Sequence, residues 1–145
     1  MSRRTSIVKA LVEKLNGING SLPYTNNIYE NAHAKLKFWD EIQQFPAIYV
    51  TPGTEVREYL PGDFTWSFLN LCVKVYCKGD EAQEELETLL EDVELCVDSN
   101  RVLVYDIVNN YDTTEILITS ITTDEGLLAP YAVGEINLQV RYAIM

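Results

Sequence analysis

The sequence predicts an α+β fold, in which an antiparallel or mixed β-sheet with a long hairpin carries helices packed on one face. Three observations predict it. Residues 3–16 and 80–98 carry apolar side chains at helical spacing. Residues 65–78 and 134–142 alternate between apolar and other side chains, as half-buried strands do. The order of elements along the chain is helix, hairpin, helix and then two strands.

Composition indicates a folded globular protein. Of the 145 residues, 47% are hydrophobic and 23% are charged, which argues against disorder. The length is near the commonest domain size, so we expect one domain over residues 1–145. No apolar run approaches the ~20 residues that span a bilayer, and the first residues lack the apolar core of a secretory signal. We therefore expect a cytoplasmic protein without a membrane contact.

The net charge of −11 is unevenly distributed. Residues 1–37 carry a net charge of +4, and residues 38–145 carry a net charge of −15. A basic first quarter followed by an acidic remainder suits head-to-tail contact between copies of one subunit, although such asymmetry is also common in soluble proteins. No basic helix face of useful length exists, which argues against sequence-specific DNA binding.

The first third of the chain predicts one helix and a loop. The amphipathic helix over 3–16 should end at Gly17. Residues 17–31 are rich in glycine, asparagine, serine and proline, which is typical of a loop. A short helix is predicted around 39–44, because Phe38, Trp39, Ile42 and Phe45 lie at near-helical spacing, and Pro46 would end it.

A long hairpin follows. Residues 46–60 predict a strand interrupted at Pro52-Gly53, and the turn at 61–63 joins it to the strand over 65–78. One face of this second strand is apolar, with Leu69, Leu71, Val73, Val75 and Cys77. The other face is mixed and contains the aromatic residues Trp66, Phe68 and Tyr76.

The most distinctive segment is the acidic helix predicted over 80–98. It holds nine carboxylates and no lysine or arginine. Asp80 is suited to the N-cap and Gln83 to the capping-box position. Its apolar stripe should cover the apolar face of the strand 65–78, and consists of Ala82, Leu86, Leu89, Leu90, Val93 and Val97.

The opposite side of this helix is negatively charged and includes Glu84, Glu87, Glu91, Glu94 and Asp98. We call the first three of these the acidic ridge. Like charges three and four residues apart repel and oppose the helix. The ridge is interpreted either as a well-solvated outer face, or as a surface that meets a basic partner or keeps nucleic acid away.

The last third predicts mainly strands. Residues 99–114 contain a candidate short strand, RVLVYDIV, and a loop, NNYDTT. A strand is predicted over 115–123 and a connection over 124–130. The final strand, 134–142, has one inward apolar row of Ile136, Leu138, Val140 and Tyr142.

Residues for catalysis or metal binding are scarce. His33 is the only histidine, and no orienting partner or nucleophile pattern accompanies it. Nucleotide-binding, hydrolase and metalloprotease motifs are absent from the sequence. The three cysteines lack metal-ligand spacing and are expected to be reduced core thiols. The trio at 124–126 predicts a turn rather than a metal site. We expect no catalytic residue, no cofactor and no metal.

Three motifs together resemble those of the tail terminator proteins of long-tailed bacteriophages with non-contractile tails. The first is FWDEIQQFPAIYVTPGTEVREY, in which an aromatic and acidic segment enters a strand. The second is the alternating strand FLNLCVKVYCKG followed by the acidic helix containing LETLLEDVE. The third is ITSITTDEGLLAPYAVGEINLQVRY, a connection that enters the last strand. The similarity covers about residues 38–142.

The resemblance implies a virion protein assembled in the host cytoplasm and located at the head-proximal end of the tail. It implies a ring, typically a hexamer of this chain, that caps the tail tube and stops polymerisation of the major tail tube protein. The ring would present a surface to the head-completion or connector protein, with DNA passing through its lumen without specific binding.

Ring formation requires contacts that close, and the candidate inter-subunit or lumen residues are Glu84, Glu87, Glu91, Trp66, Phe68 and Tyr76. The three aromatic residues are alternatively internal cover for the sheet. Other readings of the whole chain are a different head-tail connector, neck or minor tail protein, or a non-viral cytoplasmic binding module.

Overall fold

The structure, a computed structural model, describes residues 1–144. These residues form the following elements in chain order: α1 (Arg3–Leu15), β1 (Ala32–His33), a 3-10 turn (Trp39–Glu41), β2 (Ala47–Leu60), β3 (Phe64–Lys78), α2 (Ala82–Asp98), β4 (Val104–Asp106), β5 (Tyr111–Asp112), β6 (Glu115–Thr123) and β7 (Tyr131–Ile144).

The main sheet has five strands in the order β1-β2-β3-β7-β6. β1 pairs with β2 in parallel, and the other neighbours are antiparallel. The predicted α+β class and the long β2–β3 hairpin are confirmed. The interruption predicted at Pro52-Gly53 is a register shift between Pro52 and Glu55. β7 pairs with β3 along its whole length and with β6 on its other side, so the last strand lies inside the sheet.

The core lies between this sheet and the two helices. Every apolar residue predicted for the stripe of α2 is buried, as is every inward residue predicted for β3 and β7. A close approach of helix to sheet occurs at Gly134 on β7. A Cβ atom built there would lie 3.0 Å from Leu90 and 3.1 Å from Leu86, so a larger side chain would push α2 away.

The start of α2 differs from the prediction. The N-cap is Glu81 rather than Asp80, and no side chain accepts a hydrogen bond from the first helical N–H groups. The main-chain N–H of Ala82 instead donates to the carbonyl of Gly79 at 3.4 Å. This turn delays the helix to Ala82. The Gln83 amide, predicted for a capping box, donates to Asp124 at 3.2 Å.

The face of the sheet away from the helices is only half covered by the chain itself. Residues 37–46 fold over one end, where the rings of Trp39 and Phe45 lie 4.9 Å and 5.8 Å from the ring of Tyr131. The helix predicted around 39–44 is reduced to a 3-10 turn, because Ile42 already has extended backbone angles. We call the other, uncovered end of this face the open half.

The region 99–114, for which the sequence predicted a short strand and a loop, forms a small hairpin. β4 pairs with β5 apart from the main sheet. Tyr105 in β4 packs on Tyr142 with the ring centroids 6.1 Å apart. The hairpin therefore lies on the helix-covered side of the sheet, next to the start of α1.

Candidate interaction surfaces

Within residues 1–144, no three histidine, cysteine, aspartate or glutamate side chains are placed to hold a metal ion together. His33 Nε2 lies 2.8 Å from the amide oxygen of Asn31, and its ring lies 5.3 Å from the ring of Tyr49. Burial and the nearby Lys35 and Lys37 lower the pKa of His33. This histidine therefore has the contacts of a packing residue, and its hydrogen-bond partner is not a carboxylate.

Asp124 organises the turn at 124–126. Its carboxylate accepts hydrogen bonds from the main-chain N–H groups of Leu128 at 3.1 Å and Val133 at 3.0 Å. Burial acts to raise the pKa of Asp124, but the hydrogen bonds from Val133, Gln83 and Leu128 outweigh it and the pKa is lowered. The oxygens of Asp124 are thus used within the fold, as a turn requires.

The cysteine thiols are free, and two of them are buried. Burial raises the pKa of Cys77 to about 12. Burial, together with Glu135, raises the pKa of Cys72 to about 11, and the Cys72 thiol donates to Glu135 at 3.2 Å. Since the thiolate is the reactive form, these side chains have the character of inert packing groups.

The acidic ridge lies on the solvent side of α2, and its three carboxylates are exposed. None of them forms an ion pair with residues 1–144. Asp98, which the sequence placed on the same side of the helix, lies 3.9 Å from Arg101. On α1, Lys9 and Lys14 are likewise exposed and unpaired within that range. The two helices lie on the same face of the sheet, so that face presents a basic helix beside an acidic one.

One carboxylate of α2 has a role that the sequence did not reveal. Asp92 is 3% exposed and accepts hydrogen bonds from the main-chain N–H groups of Thr25 at 3.0 Å and Asn26 at 2.8 Å. The Asn26 side-chain amide donates to the same carboxylate at 3.0 Å. Asp92 therefore holds the loop 17–31 against α2. The sequence feature that could have indicated this burial is the position of Asp92 beside Leu89 and Val93, at the margin of the apolar stripe.

The open half of the sheet carries two of the predicted aromatic residues, both partly exposed. The guanidinium carbon of Arg141 lies 3.8 Å from the ring centroid of Trp66 and 6.0 Å from that of Phe68, a cation–π arrangement. Arg141 and Phe68 are direct cross-strand partners. Val56, the partner of Phe68 on β2, is 58% exposed. This end thus combines an apolar surface and an oriented arginine with the exposed carboxylate of Glu58, which lies opposite Trp66.

Tyr76, the third predicted aromatic residue, lies at the covered end. It is 2% exposed, its hydroxyl donates to the carbonyl of Lys37 at 2.6 Å, and its ring packs against Tyr49. For Tyr76 the structure favours the alternative of internal cover. The structure does not bring the acidic ridge together with Trp66 and Phe68, since they lie on opposite faces of the sheet.

None of the helices within residues 1–144 combines the length and the apolar character that a bilayer crossing requires.

Comparison with known proteins gives a match over the whole sequence. Residues 1–145 match the family described as "Bacteriophage Tail Tube Terminator Protein". The chain is 40% identical over 152 residues to "Tail tube terminator protein p142" of Escherichia phage T5, covering 98% of this chain and 94% of the relative.

The fold is also found among solved structures. A chain of the "Virion of native gene transfer agent (GTA) particle" superposes with a TM-score of 0.64 at 9% sequence identity. The superposition covers 99% of this chain and 100% of the other. At that identity, the likeness concerns the fold alone.

Proposed function

The chain belongs to the bacteriophage tail tube terminator family, and we propose that it assembles into a hexameric ring that caps the tail tube. A tail structural role follows from the family. The ring, its six subunits and its position at the head-proximal end are the finer parts of the proposal. In this role, the ring stops polymerisation of the tube protein, presents a surface for head attachment and leaves a lumen for DNA.

The observation that carries the proposal is the match to terminator proteins across the full sequence, at 40% identity with a tail tube terminator. It favours the terminator over the other neck or minor tail proteins and over a non-viral binding module. The structure is compatible with an assembly protein, because it leaves charged and apolar surfaces without partners within residues 1–144. These are the acidic ridge, the basic face of α1 and the open half of the sheet.

The test is a tube-capping reaction. Purified protein is added to polymerising tail tube subunits, and tube lengths and tube ends are measured by electron microscopy. We expect short tubes that carry a ring of six subunits at one end. A variant expected not to fold, Val73→Asp, serves as the inactive control, and Leu22→Ser, at a side chain that is 98% exposed, serves as the matched neutral control.

Tubes that grow unchecked, with no ring at either end, would refute the terminator function. Capped tubes whose rings contain another number of subunits would refute the hexamer and leave the capping function intact. Mass in solution is not a substitute, because a ring can require the tube as a template.

A further inference from the structure

The tip of the β4–β5 hairpin is an exposed apolar projection. Ile107 is 87% exposed and Val108 is 93% exposed, although aliphatic side chains of this size are usually buried. The turn that carries them is ordered by Asp106, which accepts hydrogen bonds from the main-chain and side-chain N–H groups of Asn109 at 3.1 Å and 2.9 Å. We call Ile107 and Val108 the knob.

The knob is accompanied by unpaired negative charge. Asp106 beside it and Asp112 on the neighbouring strand form no ion pair with residues 1–144. A partner for this tip should therefore offer an apolar surface together with a cation.

The open half offers both features, and it also carries the exposed carboxylate of Glu58, which lies opposite Trp66. Its Arg141 forms no ion pair with residues 1–144, and its Nε atom is buried without an acceptor. Glu115 lies opposite Arg141 across the ladder, yet its carboxylate faces Arg101 at 3.9 Å. Since the Nε atom is already covered by the chain itself, an incoming carboxylate would meet the Nη atoms at the end of the guanidinium group.

The apolar part of the open half matches the knob as well. Around the stacked Trp66 and Phe68 lie Val56, 58% exposed, and Leu60, 39% exposed. Aromatic residues and arginine are the residue types that dominate the energetics of protein interfaces. The knob cannot reach the open half of its own chain, because the two lie on opposite faces of the sheet. Only a second copy can bring them together.

We propose that the knob of one copy docks on the open half of the next, with a carboxylate of Asp106 or Asp112 facing Arg141. The contact joins two different surfaces and is therefore heterologous, which is the kind of contact that generates a ring when the rotation closes. This proposed contact rests on the proposed ring, and it specifies which two surfaces of neighbouring subunits meet.

A photo-crosslinking experiment tests the contact. The photoreactive amino acid p-benzoylphenylalanine replaces Val108 in the full chain, and labelled (¹⁵N) and unlabelled subunits are mixed during ring assembly, so that crosslinks between copies are identified by mass spectrometry. The control position is Leu127, 84% exposed in a different turn. We expect position 108 to crosslink to residues 56–68 or 139–143 of another copy, and position 127 not to do so.

A second measurement uses the double variant Ile107→Ser/Val108→Ser, compared with Leu127→Ser. Because the knob is exposed, the double variant should keep its thermal unfolding temperature. Subunit association should weaken by about tenfold or more, the effect of truncating side chains that form the centre of an interface.

The outcomes are separable. Rings that form while position 108 crosslinks elsewhere, or only to the tube protein, overturn the docking contact and leave the ring. If the double variant associates into rings as tightly as the unaltered protein, the docking contact is likewise overturned and the ring remains. If no ring forms on tubes or in solution, both the contact and the proposed function fail.

Discussion

The clearest energetic prediction concerns Asp92, whose carboxylate joins α2 to the loop 17–31 through three hydrogen bonds from Thr25 and Asn26. Hydrogen bonds to a charged acceptor contribute about 1.5–3 kcal/mol each. Thr25 is exposed, so we take about 1–1.5 kcal/mol per bond. Asp92→Ala should then lower the free energy of unfolding by about 3–4.5 kcal/mol, which corresponds to a fall of about 10–15 °C in Tm.

Urea unfolding followed by circular dichroism measures this loss, at one fixed protomer concentration because association adds to apparent stability. Asp92→Asn keeps one acceptor oxygen and should lie between Asp92→Ala and the unaltered protein. The matched control is Glu91→Ala, the neighbouring exposed carboxylate, which should change stability by no more than about 0.5 kcal/mol. If Asp92→Ala costs no more than Glu91→Ala, the assigned role of Asp92 is wrong.

Three further predictions concern the core, the acidic ridge and alkaline pH. Val73 is fully buried, and an unpaired charge there costs several kcal/mol, so Val73→Asp should elute as unfolded or aggregated protein in size-exclusion chromatography; a native elution profile and near-ultraviolet spectrum would contradict this. If the acidic ridge faces the lumen, replacing its three glutamates with lysine should make intact rings retain DNA in a filter assay, whereas the same change at Glu30, Glu41 and Glu125 should not; equal retention by both would place the ridge elsewhere. In the unfolded chain, the thiol of Cys77 ionises near its ordinary pKa of ~8.5. In the folded protein, burial raises this pKa to about 12, so the thiol stays protonated. The free energy of unfolding should therefore be unaffected by this thiol below pH ~8.5 and should fall as the pH rises above it. Urea titrations at a series of pH values from neutral upward measure the free energy of unfolding. Cys77→Ala should make its decrease with pH less steep, and an unchanged decrease in that variant would contradict the role given to Cys77.

The elements that the sequence predicted best are those whose pattern repeats over many residues. The period of two in β3 and β7 specifies both the strand and its buried face, because each side chain two residues on returns to the same side. The stripe of α2 does the same at helical period. By contrast, β1 is only Ala32–His33 and depends on pairing with Ile48 and Tyr49, which no local pattern indicates.

The environment of the outward-facing residues was harder to predict. Whether a distant segment covers such a residue cannot be read from the sequence around it. Trp66 and Tyr76 have the same place in the alternation of β3, yet residues 37–46 cover only Tyr76. Asp92 resembles the other acids of its helix, and its partners lie 66 and 67 residues earlier. The alternation of the last strand indicates only that Arg141 lies outside the inward row, because its stacking on Trp66 depends on the register between β3 and β7.

The position of β7 inside the sheet has a consequence for synthesis of the protein. Of the seven strands, β7 is translated last, yet it separates β3 from β6. Until Tyr131–Ile144 emerges from the ribosome, β3 keeps one edge unpaired and β6 has no partner in the sheet. Pairings between distant segments form slowly, and unpaired edges are open to wrong partners. A nascent subunit therefore completes its sheet only with its last strand, and the docking contact proposed above, which includes Arg141 of β7, could not form earlier.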